Sequence, residues 1–559
     1  MSQNFYTTDP LLQKILKKQL PAHLFDYANE QLTKFGERVA TDIEKRAVHT
    51  DRDGQPRLIK YNKMGEEVNE VWVNDGYLET VKETYETGIV GYVHKEIPEL
   101  EDTGNYMYSY AQGYVLSQSE PGFYCPVTLT MATAYLIDHY ANDELRARFL
   151  PHVIATGDTE LYEGATFLTE RQGGSDVGAN VVEAHQEGDY YRLYGEKYFA
   201  SNSGMCGVAM VLARTEDALE GTRGLSLFLV PWEENRHNNQ LSIRRLKDKL
   251  GVRAVPSAEV EFNGAKAYLV GEQSEGFKYM MEALNLSRVC NAVASLGIMR
   301  RAYCEARDYA FERNAFGNKL KDYPMVKETL VRLASKLEVE MTATFDLVNQ
   351  FDSVMAKGSE PTEEERAMLR LYIALLKKET AEQAIDFSHE AIEMHGGNGF
   401  IEDFVTPRLL RDAQVLTVWE GTANILGLEV LRLMKKYSVH EQFLDEMGKR
   451  LNQLSDHVSP LINPVKQSMN DLIKMLSQLS ESSDDMMLLH PKKVAVLMTN
   501  ILEGITALEM ADDEQDERTY AIAEVLIEQT FKACHHVSDL ALKHFDIIVK
   551  QEEKITATH

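Results

Sequence analysis

Cysteine is scarce and scattered in this sequence. The five residues, Cys125, Cys206, Cys290, Cys304 and Cys534, are odd in number and form no CxxC pair, so neither a disulfide framework nor a zinc site is indicated. Cys534 stands beside His535 and His536. Nothing around it is Gly-rich or electropositive enough to activate a thiolate, and a helix face is expected for it. His389-Glu390 begins a zinc-protease helix pattern, but the second histidine would fall at 393, where Glu393 stands; no metal is expected. Basic charge is also short. The 59 Lys and Arg against 87 Asp and Glu leave −28 over 559 residues, which argues against a nucleic-acid partner, since phosphate binding depends on clustered Lys and Arg. No window reaches the 18 or so uninterrupted apolar residues that a membrane span needs. The first 25 residues have neither the apolar core and cleavage site of a signal peptide nor the Arg-rich character of a transit peptide. A cytoplasmic protein with no membrane partner is expected. There is no G-x-G-x-x-G opening a βα unit, no G-x-x-x-x-G-K-[ST] and no internal repeat. A Rossmann or P-loop site is therefore not expected, and any cofactor needs another architecture.

What is present reads as three successive textures. Residues 1–160 are helical in pattern, with apolar positions three and four apart; Asn142-Asp143-Glu144 opens one helix and Pro151 is expected to end it. From about 181 to 272, short β-rich runs such as VAMVLAR and GLSLFLVPW alternate with turns containing Gly, Asn and Pro, giving a small antiparallel sheet or barrel. Beyond 275 long helices return, and Val326, Leu330, Leu333, Leu337 and Met341 form one buried stripe. Pro361 followed by acids starts another helix. The expected fold class is α+β. It comprises an N-terminal helical domain (1–160), a middle antiparallel β-barrel domain (161–275), a C-terminal helical bundle (276–437) and an additional acidic helical domain (438–559).

Four stretches suggest chemistry as well as packing. FLTERQGGSD (167–176) carries a Gly pair and the hydroxyls of Thr169 and Ser175. Glycines let backbone amides approach a polar ring edge or a phosphate, although ordinary turns have the same composition. GEKYFASN (195–202) puts Phe199 and Ser201 at alternate positions, which on a strand share a face and can stack on and hydrogen-bond a flat heterocycle; a strand with one core Phe would look the same. EMHGGNGFIED (393–403) has three glycines in four positions, more than a helix cap requires. VLTVWEGTANI (415–425) places Glu420 after an apolar run and Trp419, directly before Gly421. A carboxylate so placed is partly desolvated, which raises its pKa and makes it a stronger base once ionised. The plainer reading is a glutamate at a helix start.

Together with RLKDKLGVRAVPSAEVEF (245–262), ARDYAFERNAFGNKL (306–320) and PRLLRDA (407–413), these stretches agree in order and spacing with one family. From about residue 60 to 435 the chain resembles the acyl-CoA dehydrogenases, and more closely their AidB-like branch, whose longer members also have an extra N-terminal segment and a helical tail. The resemblance implies the cofactor FAD, lying between the sheet and the helical bundle. Phe167, Leu168 and Thr169 would meet the polar edge of the isoalloxazine. Ser175 would reach the pyrophosphate or the acyl-CoA. Phe199 and Ala200 would flank the ring, and Ser201 would hydrogen-bond near N5. Arg313 would reach the FAD diphosphate of a neighbouring subunit, with Gly396 and Gly397 completing that grip by close approach, so a homotetramer or homodimer is implied. Thr422 and Asn424 complete the FAD contacts; Asn285, Arg288 and Gly421 fall where substrate contacts occur. Glu420 would be the catalytic base that removes the α-proton of an acyl-CoA thioester while hydride leaves the β-carbon. An electron-transfer flavoprotein or similar carrier would take the electrons. Phe199 stands where many relatives have Trp, Ser201 where many have Thr, and Glu393 where many have Gln. Ser287 occupies the place from which some relatives supply the base, and it cannot serve as one. Two other readings share the core motifs: an acyl-CoA oxidase, and an AidB-type stress-response protein that binds DNA and has vestigial activity. The acidic tail opposes the second of these.

Overall fold

Helical periodicity in the first part of the chain is realised as Ala22–Arg38, whose Leu24, Ala28, Leu32 and Phe35 face inward, followed by Asp75–Glu86, Tyr106–Ser117, Pro121–Tyr140 and Asp143–Val153. Tyr106–Ser117 is buried on every side. Asn142 opens the last of these helices as its side chain accepts the Leu145 N–H. Pro151 does not end it; the helix runs on to Val153, because a proline in the final turn removes only one backbone donor. The helical reading of residues 1–160 also missed a hairpin, Arg57–Tyr61 paired antiparallel with Glu67–Trp72. Its turn is closed by Asn62, whose Oδ1 accepts from the N–H groups of Met64 and Glu66.

The computed structural model describes residues 4–356, 358–532 and 536–550. Cys534 and His535 lie outside the described residues. The chain divides into two compact units, Met1–Asn4 with Leu20–Cys290, and Phe5–Gln19 with Asn291–His559.

The sheet of the first unit has seven strands, from Glu163–Phe167 to Ser257–Val270. Five of them close a ring. Ser257–Val270 pairs with Tyr190–Ser201, which pairs with Glu183–Glu187, then Cys206–Thr215, then Leu225–Pro231, which returns to Ser257–Val270. Closure removes free edges, and alternate residues fill the interior. Phe167, Leu193, Val211, Phe228, Trp232, Ile243 and Val260 form that core. The pairing is not wholly antiparallel: Glu163–Phe167 and Glu183–Glu187 both run parallel to Cys206–Thr215. Long connections through 168–182 and 188–205 let the chain return in the same direction, which a tight hairpin cannot do.

In the second unit, Leu330, Leu333, Leu337 and Met341 of helix Pro324–Met355 are buried as the stripe requires, while Val326, in the helix's first turn, is only half-buried. Helix Glu363–His395 opens on Thr362, not Pro361, through a reciprocal capping box with Glu365. Helix Pro491–Glu514 is apolar enough to cross a membrane by length and composition, but Val494, Met498, Ile501, Ile505 and Leu508 are core residues here. Lys336 Nζ contacts three buried carboxylates, at 3.0 Å from Glu340, 3.0 Å from Glu379 and 2.6 Å from Glu503. One ammonium thus ties three helices together. The N-terminal helix Pro10–Gln19 belongs to this unit as well. It buries Leu12, Ile15 and Leu16 and pairs Lys14 with Glu514 at 2.7 Å and Lys18 with Asp513 at 2.8 Å.

Candidate active site

The first unit gathers the loop and strand residues. Phe167 lies in the barrel core at the end of its strand, and the chain leaves through half-buried Leu168 and Thr169. A fully buried ion pair fixes this exit. Lys197 Nζ donates to Glu170 Oε1 at 2.8 Å and to the Leu168 carbonyl at 3.3 Å, and Asn180 Nδ2 donates to the same carbonyl at 2.7 Å. Burial lowers the Lys197 pKa to about 8, with the Glu170 carboxylate opposing the shift. Tyr198 N–H donates to the Thr169 carbonyl at 2.9 Å. With both carbonyls occupied, the edge left to a ligand here is the backbone N–H side and the Thr169 hydroxyl. At Gly174 a Cβ would stand 2.5 Å from Thr169 Oγ1, an approach only glycine allows. Ser175 is exposed.

On strand Tyr190–Ser201 the alternation is plain: Phe199 points out, Ala200 is fully buried and Ser201 is half-buried. Ser201 Oγ lies 3.1 Å from Ser257 Oγ. Phe199 is 57% exposed, which leaves its ring face open to a flat ligand. Lys247 Nζ lies 4.8 Å from its ring centroid. On helix Gly276–Glu312, buried Arg288 donates from Nη1 to Asn285 Oδ1 at 3.1 Å.

The second unit holds the acid. Helix Thr406–Leu416 ends in a turn, and the next helix, Ala423–Tyr437, starts after Thr422. Between them Glu420 has φ 55 and Gly421 φ 108. A left-handed glutamate costs about 1–2 kcal/mol, and such strain persists only where the surroundings impose it. They do so here. Lys377 Nζ donates to the Trp419 carbonyl at 2.6 Å and to the Gly421 carbonyl at 2.8 Å. Asn291 Nδ2 donates to Glu420 Oε2 at 2.9 Å and to the Leu416 carbonyl at 3.2 Å. Glu420 and Trp419 are half-buried, and Thr422 and Asn424 are exposed.

Gly396 and Gly397 cap helix Glu363–His395 and are exposed, and a Cβ at either would meet nothing within 4 Å. The close approach expected of them is not made within the described residues. It is Gly399 that is tightly packed: a Cβ there would stand 2.6 Å from the Ile392 carbonyl oxygen. The loop sits beside the end of helix Gly276–Glu312, because Asn398 Nδ2 donates to Tyr309 OH at 3.1 Å and Tyr309 stacks on His395. Exposed Arg313 follows directly, leading into a hairpin whose tip is Phe316, 95% exposed.

Three residues with clear positional roles were missed in the sequence: Lys197, Asn291 and Lys377. Each is a lone polar group at an inward position, Asn291 within VCNAVASLG and Lys377 after LYIALL. That mismatch was the available signal, since such groups are kept inside only when fully paired. The residues present fit a flavin nucleotide. In the first unit an exposed aromatic shares a strand face with a hydroxyl, as a flavin ring requires, and in the second unit two glycines leave backbone open and an arginine is exposed, as a diphosphate requires.

The sequence profile of the acyl-CoA dehydrogenase C-terminal domain matches residues 274–434, that of the middle domain residues 165–265, and that of the adaptive response protein AidB N-terminal domain residues 1–157. Acyl-CoA dehydrogenase family member 11 of Caenorhabditis elegans is 32% identical over 488 residues, 86% of this chain and 78% of the relative. The AidB protein of Escherichia coli (strain K12) is 28% identical over 463 residues, 80% of this chain and 82% of the relative. The crystal structure of Caenorhabditis elegans ACDH-11 in complex with C11-CoA superimposes with a TM-score of 0.86 at 28% identity, covering 96% of this chain and 92% of that one. The fold is shared with an acyl-CoA dehydrogenase from Bacillus anthracis solved with FAD, at TM-score 0.70 and 20% identity over 87% of this chain and 89% of that one. By these matches the chain belongs to the acyl-CoA dehydrogenase family of FAD-dependent oxidoreductases, in its AidB-like branch.

Proposed function

We propose that the chain converts an acyl-CoA thioester to the trans-2-enoyl-CoA, with Glu420 as the base. The observation that carries this is the carboxylate of Glu420, held in a left-handed turn and oriented by a buried amide. Glu420 takes the α-proton. The electron pair of that C–H bond forms the new double bond as the β-hydrogen departs with its own pair. FAD, when bound, accepts that hydride. Charge developing on the thioester oxygen is met by the Glu420 backbone N–H, and preorganised donors of this kind supply several kcal/mol. Gly421 lets the thioester come close to that peptide.

Phe167, Leu168, Thr169, Phe199, Ala200, Ser201, Thr422 and Asn424 would hold the FAD. Arg313, Gly396 and Gly397 would grip the diphosphate of the FAD in another copy of the chain. Ser175, Asn285 and Arg288 would contact the acyl-CoA. An electron-transfer flavoprotein or similar carrier would take the electrons onward. The nematode relative was solved with C11-CoA, so a medium-chain acyl-CoA is the first substrate to try. Residues 440–559 carry 21 Asp and Glu against 11 Lys and Arg, which disfavours the DNA-binding reading.

The test is anaerobic stopped-flow flavin reduction. Glu420→Gln keeps size and hydrogen bonding while removing the base. FAD and acyl-CoA should still bind, and reduction should fall by several orders of magnitude. Glu420→Asp, displaced by about 1 Å, should lose on the order of 10²-fold. A wild-type rate in Glu420→Gln would remove Glu420 as the base, and protein that cannot be loaded with FAD would remove the whole assignment.

A further inference from the structure

We infer that Lys377 is the positioning residue that sets the turn at Glu420 and, through it, the aim of the Glu420 backbone donor. This rests on the reading of Glu420 as the base. Lys377 is 1% exposed and follows five buried residues of helix Glu363–His395, Tyr372 to Leu376. Its ammonium is therefore delivered from a packed helix, with its stem fixed by neighbours. It grips the carbonyl before Glu420 and the carbonyl after it, at 2.6 Å and 2.8 Å.

Two carbonyls on either side of one residue converge on a single cation only if that residue bends the chain sharply. The φ values of 55 and 108 at Glu420 and Gly421 are that bend. Charge-assisted bonds are about twice as strong as neutral ones, so two of them can hold a left-handed turn that a glutamate does not otherwise favour. A trans peptide sets its C=O and N–H antiparallel. Pinning the Trp419 carbonyl on Lys377 therefore aims the Glu420 N–H, in the same peptide, directly away from the ammonium. The positive charge at the carbonyl end also polarises that peptide and strengthens its N–H as a donor. Asn291 sets the carboxylate end independently, so loss of Lys377 should disturb the turn more than the binding of substrate.

The chain has three tryptophans, Trp72, Trp232 and Trp419, and Trp419 is one of the two residues that Lys377 grips. Protein labelled with 5-fluorotryptophan reports the turn by ¹⁹F NMR without any turnover. In Lys377→Met the Trp419 signal should shift or broaden, with and without FAD, while those of Trp72 and Trp232 stay in place. Stopped-flow reduction should fall about 10²-fold, the effect of a displacement near 1 Å. Acyl-CoA affinity should stay within about threefold, since the lost interaction acts in the transition state. The isotope effect with α-deuterated substrate should rise. If all three signals collapse, the variant has misfolded; Lys377→Gln, which keeps two N–H donors without the charge, then carries the same measurements. Three unmoved signals and a wild-type rate would overturn the inference. A wild-type rate in Glu420→Gln would instead sink the base assignment, leaving the ¹⁹F result to judge the turn alone.

Discussion

Burial raises the Glu163 carboxyl to a pKa of about 8, against an opposing hydrogen bond from Tyr85 OH, which donates to Oε1 at 3.0 Å. The residue begins the first barrel strand, and Thr130 Oγ1 lies 2.8 Å from the same tyrosine oxygen while accepting the Gly164 N–H at 2.9 Å. Because the folded-state value lies above the unfolded one, the folded chain holds a proton that the unfolded chain has released. That contribution is complete below the unfolded carboxyl pKa and is lost as pH rises through about 8. Wild-type stability should therefore decline between about pH 5 and pH 9. Glu163→Gln should remove most of that slope, worth on the order of a few kcal/mol, and urea denaturation at several pH values would measure it. An unchanged slope would mean that Glu163 is ionised in the fold. The Cys206 thiol, opposite Glu163 in the strand register, is pushed up by burial and then by this carboxyl, so it should resist alkylation at neutral pH.

Among elements, the helices and strands were legible because their apolar periods are long, as in the stripe from Leu330 to Met341. The hairpin at 57–72 was not, because its faces are exposed or half-buried and leave no clean alternation to read. Parallel pairing of the first strand was equally hidden, since strand direction depends on how connections run and not on composition. The acid of the site could be picked out by its apolar flank and the glycine after it, whereas its supports at Asn291 and Lys377 come from helices 129 and 43 residues away in sequence, and no local pattern links them. The same holds for the group around Lys336. Burial works against its charge, but Glu379, Glu503 and Glu340 outweigh that and raise its pKa well above the ordinary value. Burial, only partly offset by Lys336, pushes Glu503 up to about 7. Lys336→Met would leave Glu340 and Glu503 without their close cation and Glu379 with only Lys378, 3.8 Å away, and loss of one partner from such a group costs about 3–5 kcal/mol. Thermal unfolding should show this loss, larger at pH 8 than at pH 5, because protonated carboxyls need no counter-charge. Equal loss at both would place the effect in packing.

For the molecule as a whole, the exposed apolar side chains of the second unit are instructive. Phe316, Met325, Phe400 and Ile401 all stand in solvent, on elements joined by Tyr309 with Asn398 and by Tyr323 OH donating to the Ala315 carbonyl at 2.6 Å. Apolar groups grouped beside Arg313 fit a contact with another copy of the chain. Phe316→Glu should lower the assembled mass in light scattering and reduce retained FAD; Arg313→Ala should reduce FAD retention more than assembly. A monomer with full FAD occupancy would contradict both. The helix Pro10–Gln19 has a consequence of a different kind. Its ion-pair partners, Asp513 and Glu514, are synthesised roughly 500 residues after it. At translation speeds of about 5–20 residues per second, its lysines wait roughly 25–100 s for those carboxylates. During that interval the helix is a short amphipathic segment of the kind a chaperone can hold, and it cannot complete its ion pairs until helix Pro491–Glu514 exists.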